Sequence, residues 1–389
     1  MFGILLPLVY LSFISLGLPD SMLGAVWPAM AAQMGQDLSS LGLVSMLVTL
    51  GTVISSLLSS RLIRSLGTGK VMALSVFLTS LVLLLYSFAR SYGVLCLLAL
   101  PLGLGGGSVD AALNGFVARN YKASHMNWLH CMWGVGATIS PLIAGASLSG
   151  TASWPGAYRT VSILQGILFL VLFFSLPKWL KAEKRDPLAE SGPGQHISNA
   201  QALRTPGLII AMGAFACFVG FESVAGVWAA SFLQGQKGFD VAAAASLSSM
   251  YYFGTMLGRA VSGFIAIKAD SRKMIRLGVL LAFLGAVLLA LPLPGFFSLA
   301  GFMLLGLGNA PIYPAMIHLT PRRFGIALSQ AAMGLQMAAA YTGSTLLPPL
   351  TGALVRSASL QAVPWVILTL ILAGFLLSQQ IDRDVKPVD

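Results

Sequence analysis

The chain has 389 residues, of which 57% are hydrophobic and 9% charged, and its net charge is +11. A water-soluble domain carries about 25% charged residues, so this composition excludes a soluble fold and describes a chain that crosses a bilayer repeatedly. The basic excess does not mark a nucleic-acid surface, because Lys and Arg punctuate apolar runs instead of clustering on one polar domain.

A helical crossing takes about 20 mostly apolar residues. Twelve runs fit: 4–32, 40–60, 71–89, 93–118, 124–149, 158–178, 205–233, 241–266, 273–292, 295–319, 325–355 and 361–381. The first run starts without a Lys/Arg-rich leader, so no cleaved signal peptide is expected. Cys96, Cys131 and Cys217 fall inside apolar runs, and no disulfide is expected. The expected fold is therefore an all-α polytopic membrane protein of twelve transmembrane helices.

Span one carries Asp20 beside Pro19, roughly 24 Å from its start if helical. Pro19 lacks a backbone donor, so the helix is open to bending there. Arg61, Arg64 and Lys70 fill the loop between spans two and three. Span four carries Gly103, Gly105, Gly106 and Gly107 before Asp110 and Asn114. These glycines follow no strand, so they read as close helix packing and not as a phosphate loop. Asp110 and Asn114 are one turn apart on one face. Across a short basic turn, Asn127 and His130 of span five reach overlapping depth, with Trp133 one turn further on. An ionisable residue inside a membrane is a functional-site hypothesis by default. A satisfied polar knot clamping the hairpin is the alternative.

Residues 181–204 are charged and rich in Pro, Gly and Ser. They read as a linker between six-helix halves at 1–180 and 205–389. The halves look like copies. An offset of 202 or 203 residues brings Asp20 onto Glu222, Gly51-Thr52 onto Gly254-Thr255, and Gly103-Leu104-Gly105 onto Gly306-Leu307-Gly308. Arg259 in span eight is the one intramembrane Arg, and a structural or gating role is expected for it. Asp270 and Arg272 follow in the next loop. Lys and Arg concentrate on the linker side, which predicts cytoplasmic termini and linker. Trp133, Trp228, Asn309, Tyr313, Gln336 and Tyr341 join Asn114 and Asn127 as candidates for a face that binds a hydroxylated ligand. Such a pocket needs a few polar groups in an apolar wall.

The loop RLIRSLGTGK, with its counterpart IKADSRKM, resembles the conserved basic loops of the major facilitator superfamily. GLGGGSVDAALN, NWLHCMWGVGATISPL, FVGFESVAGVW and YYFGTMLGR resemble the fucose–galactose–glucose:proton symporter branch, which includes fucose permeases and sodium-dependent glucose transporters. The resemblance implies two six-helix pseudo-repeats around a central site lined by spans one, four, seven and ten. It implies cation-coupled sugar transport in the cytoplasmic membrane by a monomer, with no nucleic-acid partner and no enzymatic activity. Asp110, Glu222, Asp20 and His130 are the ion-coupling candidates. No cofactor is expected beyond the coupling ion, which is a proton or sodium. A drug or metabolite exporter of the same fold is the alternative.

Overall fold

The computed structural model describes residues 2–121, 123–150, 153–183, 199–265 and 270–385. The chain is helical: α1 Phe2–Met34, α2 Leu41–Leu66, α3 Thr68–Tyr86, α4 Tyr92–Asn120, α5 Ala123–Ser149, α6 Ser153–Glu183, α7 Asn199–Leu203, α8 Leu208–Lys237, α9 Val241–Leu247, α10 Ser249–Ile265, α11 Ser271–Ala290, α12 Gly295–Asn309, α13 Ile312–Phe324, α14 Ile326–Ser357 and α15 Ala362–Asp384. Among the described residues, ten stretches are long and apolar enough to cross a membrane. The expected eighth span is α9 and α10 in series, and the expected tenth is α12 and α13. The second break has a direct cause. Pro311 follows Ala310 and has no N–H to continue the helical ladder. Residues 184–198 of the expected linker lie outside the described residues. At its edges the chain is helical, because α6 runs on to Glu183 and α7 begins at Asn199.

Packing repeats in each half. Helix α1 lies on α5, α2 on α4, and α3 on α6; in the second half α8 lies on α14, α10 on α12, and α11 on α15. The repeated glycines explain two of these pairs. A Cβ on Gly103 would overlap the Val48 carbonyl oxygen, and one on Gly306 would overlap that of Tyr251. Gly51 and Gly254 make the reciprocal approaches to Leu100 and Met303. The same glycine saddle thus joins α2 to α4 and α10 to α12. Gly306→Ala is expected to lower the thermal unfolding temperature in detergent, since overpacking costs about 1–3 kcal/mol. Gly93→Ala, whose methyl would meet open space, is not expected to lower it.

Between the halves, α5 packs on α9 and α10, α2 packs on α14, and α1 packs on α8. The pairs α5–α10 and α14–α2 exchange when the halves are exchanged. At the end away from the linker the seam is tight. Gly24 of α1 approaches the Val227 carbonyl of α8, Gly42 approaches Pro349, and Gly145 approaches Ala242.

Candidate functional site

Proline, glycine and the α1–α5 contact build the site. Because Pro19 has no N–H, the Ser15 carbonyl lacks its helical partner. Gln165 Nε2 of α6 donates to that oxygen at 2.7 Å, and Ser15 Oγ donates back to Gln165 Oε1 at 2.8 Å. Immediately after Pro19 comes Asp20. It stands midway along α1, enclosed by the bundle yet accessible, so its carboxylate faces internal space. Gly17 and Gly136 let the backbones of α1 and α5 touch. That contact sets Trp133 against Asp20, and the indole Nε1 donates to Asp20 Oδ2 at 2.7 Å.

The other side of Trp133 meets the second half. Gly134 admits Met256 of α10, which brings Arg259, one turn further along α10, to the indole. The guanidinium lies 4.9 Å from the Trp133 ring centroid. It also donates to the His130 carbonyl at 3.3 Å and stands 3.6 Å from Glu222 Oε1 of α8. The result is a continuous chain: Asp20, Trp133, Arg259, Glu222. Two members come from each half. An N–H donating to a carboxylate pushes electron density into the indole, which strengthens the ring face as a seat for a cation. The 3.6 Å ion pair is longer than a hydrogen bond, and both side chains are about one-fifth exposed. It is a contact that water and a ligand can reach.

Asp110 and Asn114 stand beside this chain. Asn114 Nδ2 donates to Asp110 Oδ1 at 2.9 Å and to the Asp110 carbonyl at 3.0 Å. The charges of Asp20 and Asp110 act on one another, and that of Arg259 acts on Asp110. Tyr313 and Tyr341 are half-buried near the same charges, and Tyr341 bonds to Ser56 across the α2–α14 seam. The structure therefore brings together Asp20, Asp110, Asn114, Trp133, Glu222, Arg259, Tyr313 and Tyr341.

Other candidates sit elsewhere. The His130 ring packs edge-on against Phe13 at 5.7 Å, its carbonyl accepts from Arg259, and the charge of Arg259 also acts on its imidazole. Trp228 is fully buried and donates to the Pro348 carbonyl; it is a strut between α8 and α14, not a cavity wall. Asn309 is buried and donates to Tyr251 Oη at 3.4 Å, tying α12 to α10. Gln336 is fully buried and accepts from Thr320 Oγ1 at 2.9 Å. The side chains of these three are buried and bonded within the bundle, because polarity within a span does not say which neighbour it faces. Asn127 lies on α5 with its side chain outside the described residues.

At the linker end Arg61, Arg64, Lys70 and Asp270 are exposed. Arg272 instead belongs to a clamp that sequence reasoning missed. Asp382 of α15 lies 2.7 Å from Arg323 Nη2 of α13 and 3.3 Å from Arg272 Nε of α11. Arg323 is only 3% exposed, so losing its partner strands a buried charge. Asp382→Ala is expected to destabilise the protein by about 3–5 kcal/mol, read as a drop in thermal unfolding temperature in detergent. Arg272→Ala is expected to do less, since Arg272 is half in solvent.

The fold is a pair of repeated helix bundles meeting at a polar, charged seam. A family model described as Major Facilitator Superfamily matches residues 9–295 and 210–383, and the chain belongs to that family. It is a multi-pass membrane protein. Among solved structures, that of the nucleoside transporter NupG superposes with a TM-score of 0.76 at 15% identity, covering 97% of this chain and 98% of that one. Human sodium-dependent glucose transporter 1 is 26% identical over 145 residues, 36% of this chain and 28% of that protein. Rat synaptic vesicle glycoprotein 2A is 26% identical over 134 residues, 33% of this chain and 18% of that protein. The matched stretch thus spans less than a third of either relative. An uncharacterized transporter of Sinorhizobium fredii is 25% identical over 348 residues, 87% of this chain and 88% of that one.

Proposed function

We propose that this transporter moves a small polar solute, a monosaccharide in our reading, by symport with a proton or sodium ion through alternating access. The observation that carries the reading is the chain Asp20–Trp133–Arg259–Glu222, which links the two halves through contacts that a ligand can break. In this reading the halves 1–180 and 205–389 rock about the seam, with 181–204 as linker. The linker end faces the cytoplasm across the inner membrane, and the monomer is the working unit. Asp110 holds the coupling cation, and protonation or ion binding cancels a charge that is costly to carry through hydrocarbon. Asn114, Tyr313 and Tyr341 supply hydrogen-bonding groups and Trp133 an aromatic face, a combination that suits the hydroxyls and C–H faces of a sugar. The glucose named for the human relative supports the solute class, and the sodium in its name keeps that ion open.

The test is uptake of labelled hexoses and deoxyhexoses into proteoliposomes under an imposed proton gradient and then a sodium gradient. Saturable, stereospecific, gradient-dependent uptake of one sugar is expected. Absence of uptake for every sugar under both gradients would overturn the sugar reading. It would favour export of lipophilic cations, a second reading supported by the excess of carboxylates in this group, Asp20, Asp110 and Glu222 against the Arg259 guanidinium.

A further inference from the structure

Beneath Asp20, inside the first half, lies a cavity of about 30 Å³. It is walled by α1, α2, α3, α4 and α6. Its polar lining is Ser12, Ser15, Asp20, Thr52, Thr79 and Gln165. The direction of the hydrogen bonds decides what this cavity accepts. Ser12 Oγ donates to the Leu8 carbonyl, Thr52 Oγ1 to that of Val48, and Thr79 Oγ1 to that of Ser75. Ser15 Oγ donates to Gln165 Oε1, and Gln165 Nε2 donates to the Ser15 carbonyl. Each hydroxyl proton is thus committed elsewhere, and what remains on those oxygens is lone pairs. Asp20 adds a carboxylate whose Oδ2 already accepts Trp133, leaving Oδ1 with its lone pairs. The lining is rich in acceptors and carries one negative charge.

We infer that this cavity is a binding site for one small monovalent cation, of sodium's size and hardness, held by Asp20 and the surrounding hydroxyl oxygens. Hard cations take oxygen donors. A single carboxylate neutralises a single charge, and a divalent ion would leave an uncompensated buried charge. The volume admits a water-sized species. The site shares Asp20 with the Trp133–Arg259–Glu222 chain, so occupancy is felt where the halves meet. This inference rests on the transport reading and adds, within one half, a sodium site at Asp20 distinct from the coupling carboxylate Asp110.

The test uses the full-length protein in detergent, at constant ionic strength, with sodium chloride exchanged for choline chloride. Thermal stability, tryptophan fluorescence and equilibrium binding of radioactive sodium are followed together. Saturable, sodium-specific binding is expected. Thr79→Val, which keeps the shape and removes one oxygen, should weaken it by about 10- to 100-fold, the scale on which supporting groups tune metal sites. Asp20→Asn should abolish it, and Asp110→Asn should leave it intact. Wild-type protein with no sodium-specific response overturns the inference, and so does an unchanged affinity in Thr79→Val. Thr79→Val keeps the test decisive should Asp20→Asn fail to fold. Proton-driven sugar uptake by a protein that binds no sodium would sink the cation site and leave the transport reading standing. Sodium binding with no solute uptake would do the reverse.

Discussion

Arg259→Ala is expected to reduce initial uptake by roughly 100-fold in proteoliposomes of equal protein content. The guanidinium joins three partners from both halves: the Trp133 ring, the His130 carbonyl and the Glu222 carboxylate. Coupling between sites is typically about 1–3 kcal/mol, or about 5- to 150-fold, and truncation removes all three contacts at once. It also leaves Glu222 without its cationic partner. Arg259→Lys separates charge from shape. An ammonium still pairs with Glu222, but it lacks the planar group that stacks on an indole. Intermediate uptake is expected for the lysine variant. Wild-type uptake by Arg259→Ala would remove the charged chain from the mechanism.

Asp110→Asn should leave the carrier able to exchange solute and unable to concentrate it. The amide fills the same volume and can still bond to Asn114, so the α4 geometry in which Asn114 caps its own preceding turn survives. The lost property is the charge that a cation would cancel. Counterflow of unlabelled for labelled solute should persist near the wild-type rate, while gradient-driven accumulation should fall to simple equilibration. Undiminished accumulation would exclude Asp110 from coupling and leave Asp20 as the leading carboxylate.

The helices and their repetition were readable because a bilayer imposes length and apolarity on every crossing. The repeated glycines were readable because close backbone approach tolerates no side chain. The assembled site was less so. Glu222 and Arg259 come from different helices, and their meeting depends on how α8 and α10 pack. Trp133 was legible as a candidate, but its role between acid and base required the Gly134–Met256 approach. Gln165 was missed, although a signal existed: Pro19 orphans the Ser15 carbonyl, and an isolated amide in an apolar span is a ready partner. Asn309 and Gln336 show the limit from the other side: a buried amide bonded to Tyr251 or Thr320 carries the same letter in the sequence as one that meets a ligand.

The exchange symmetry of the α5–α10 and α2–α14 pairs has a mechanical consequence. A rigid rotation of one half about the shared axis must strain both pairs by equal amounts and in the same sense. In the proposed cycle, a ligand whose firmest grip is on Trp133 and Arg259 loads mainly the α5–α10 side, and its torque is transmitted to the opposite flank through the stiffness of each bundle. The glycine saddles supply that stiffness by locking α2 to α4 and α10 to α12. An asymmetric cargo can therefore drive a symmetric movement, and a single covalent staple on either flank would be enough to arrest both.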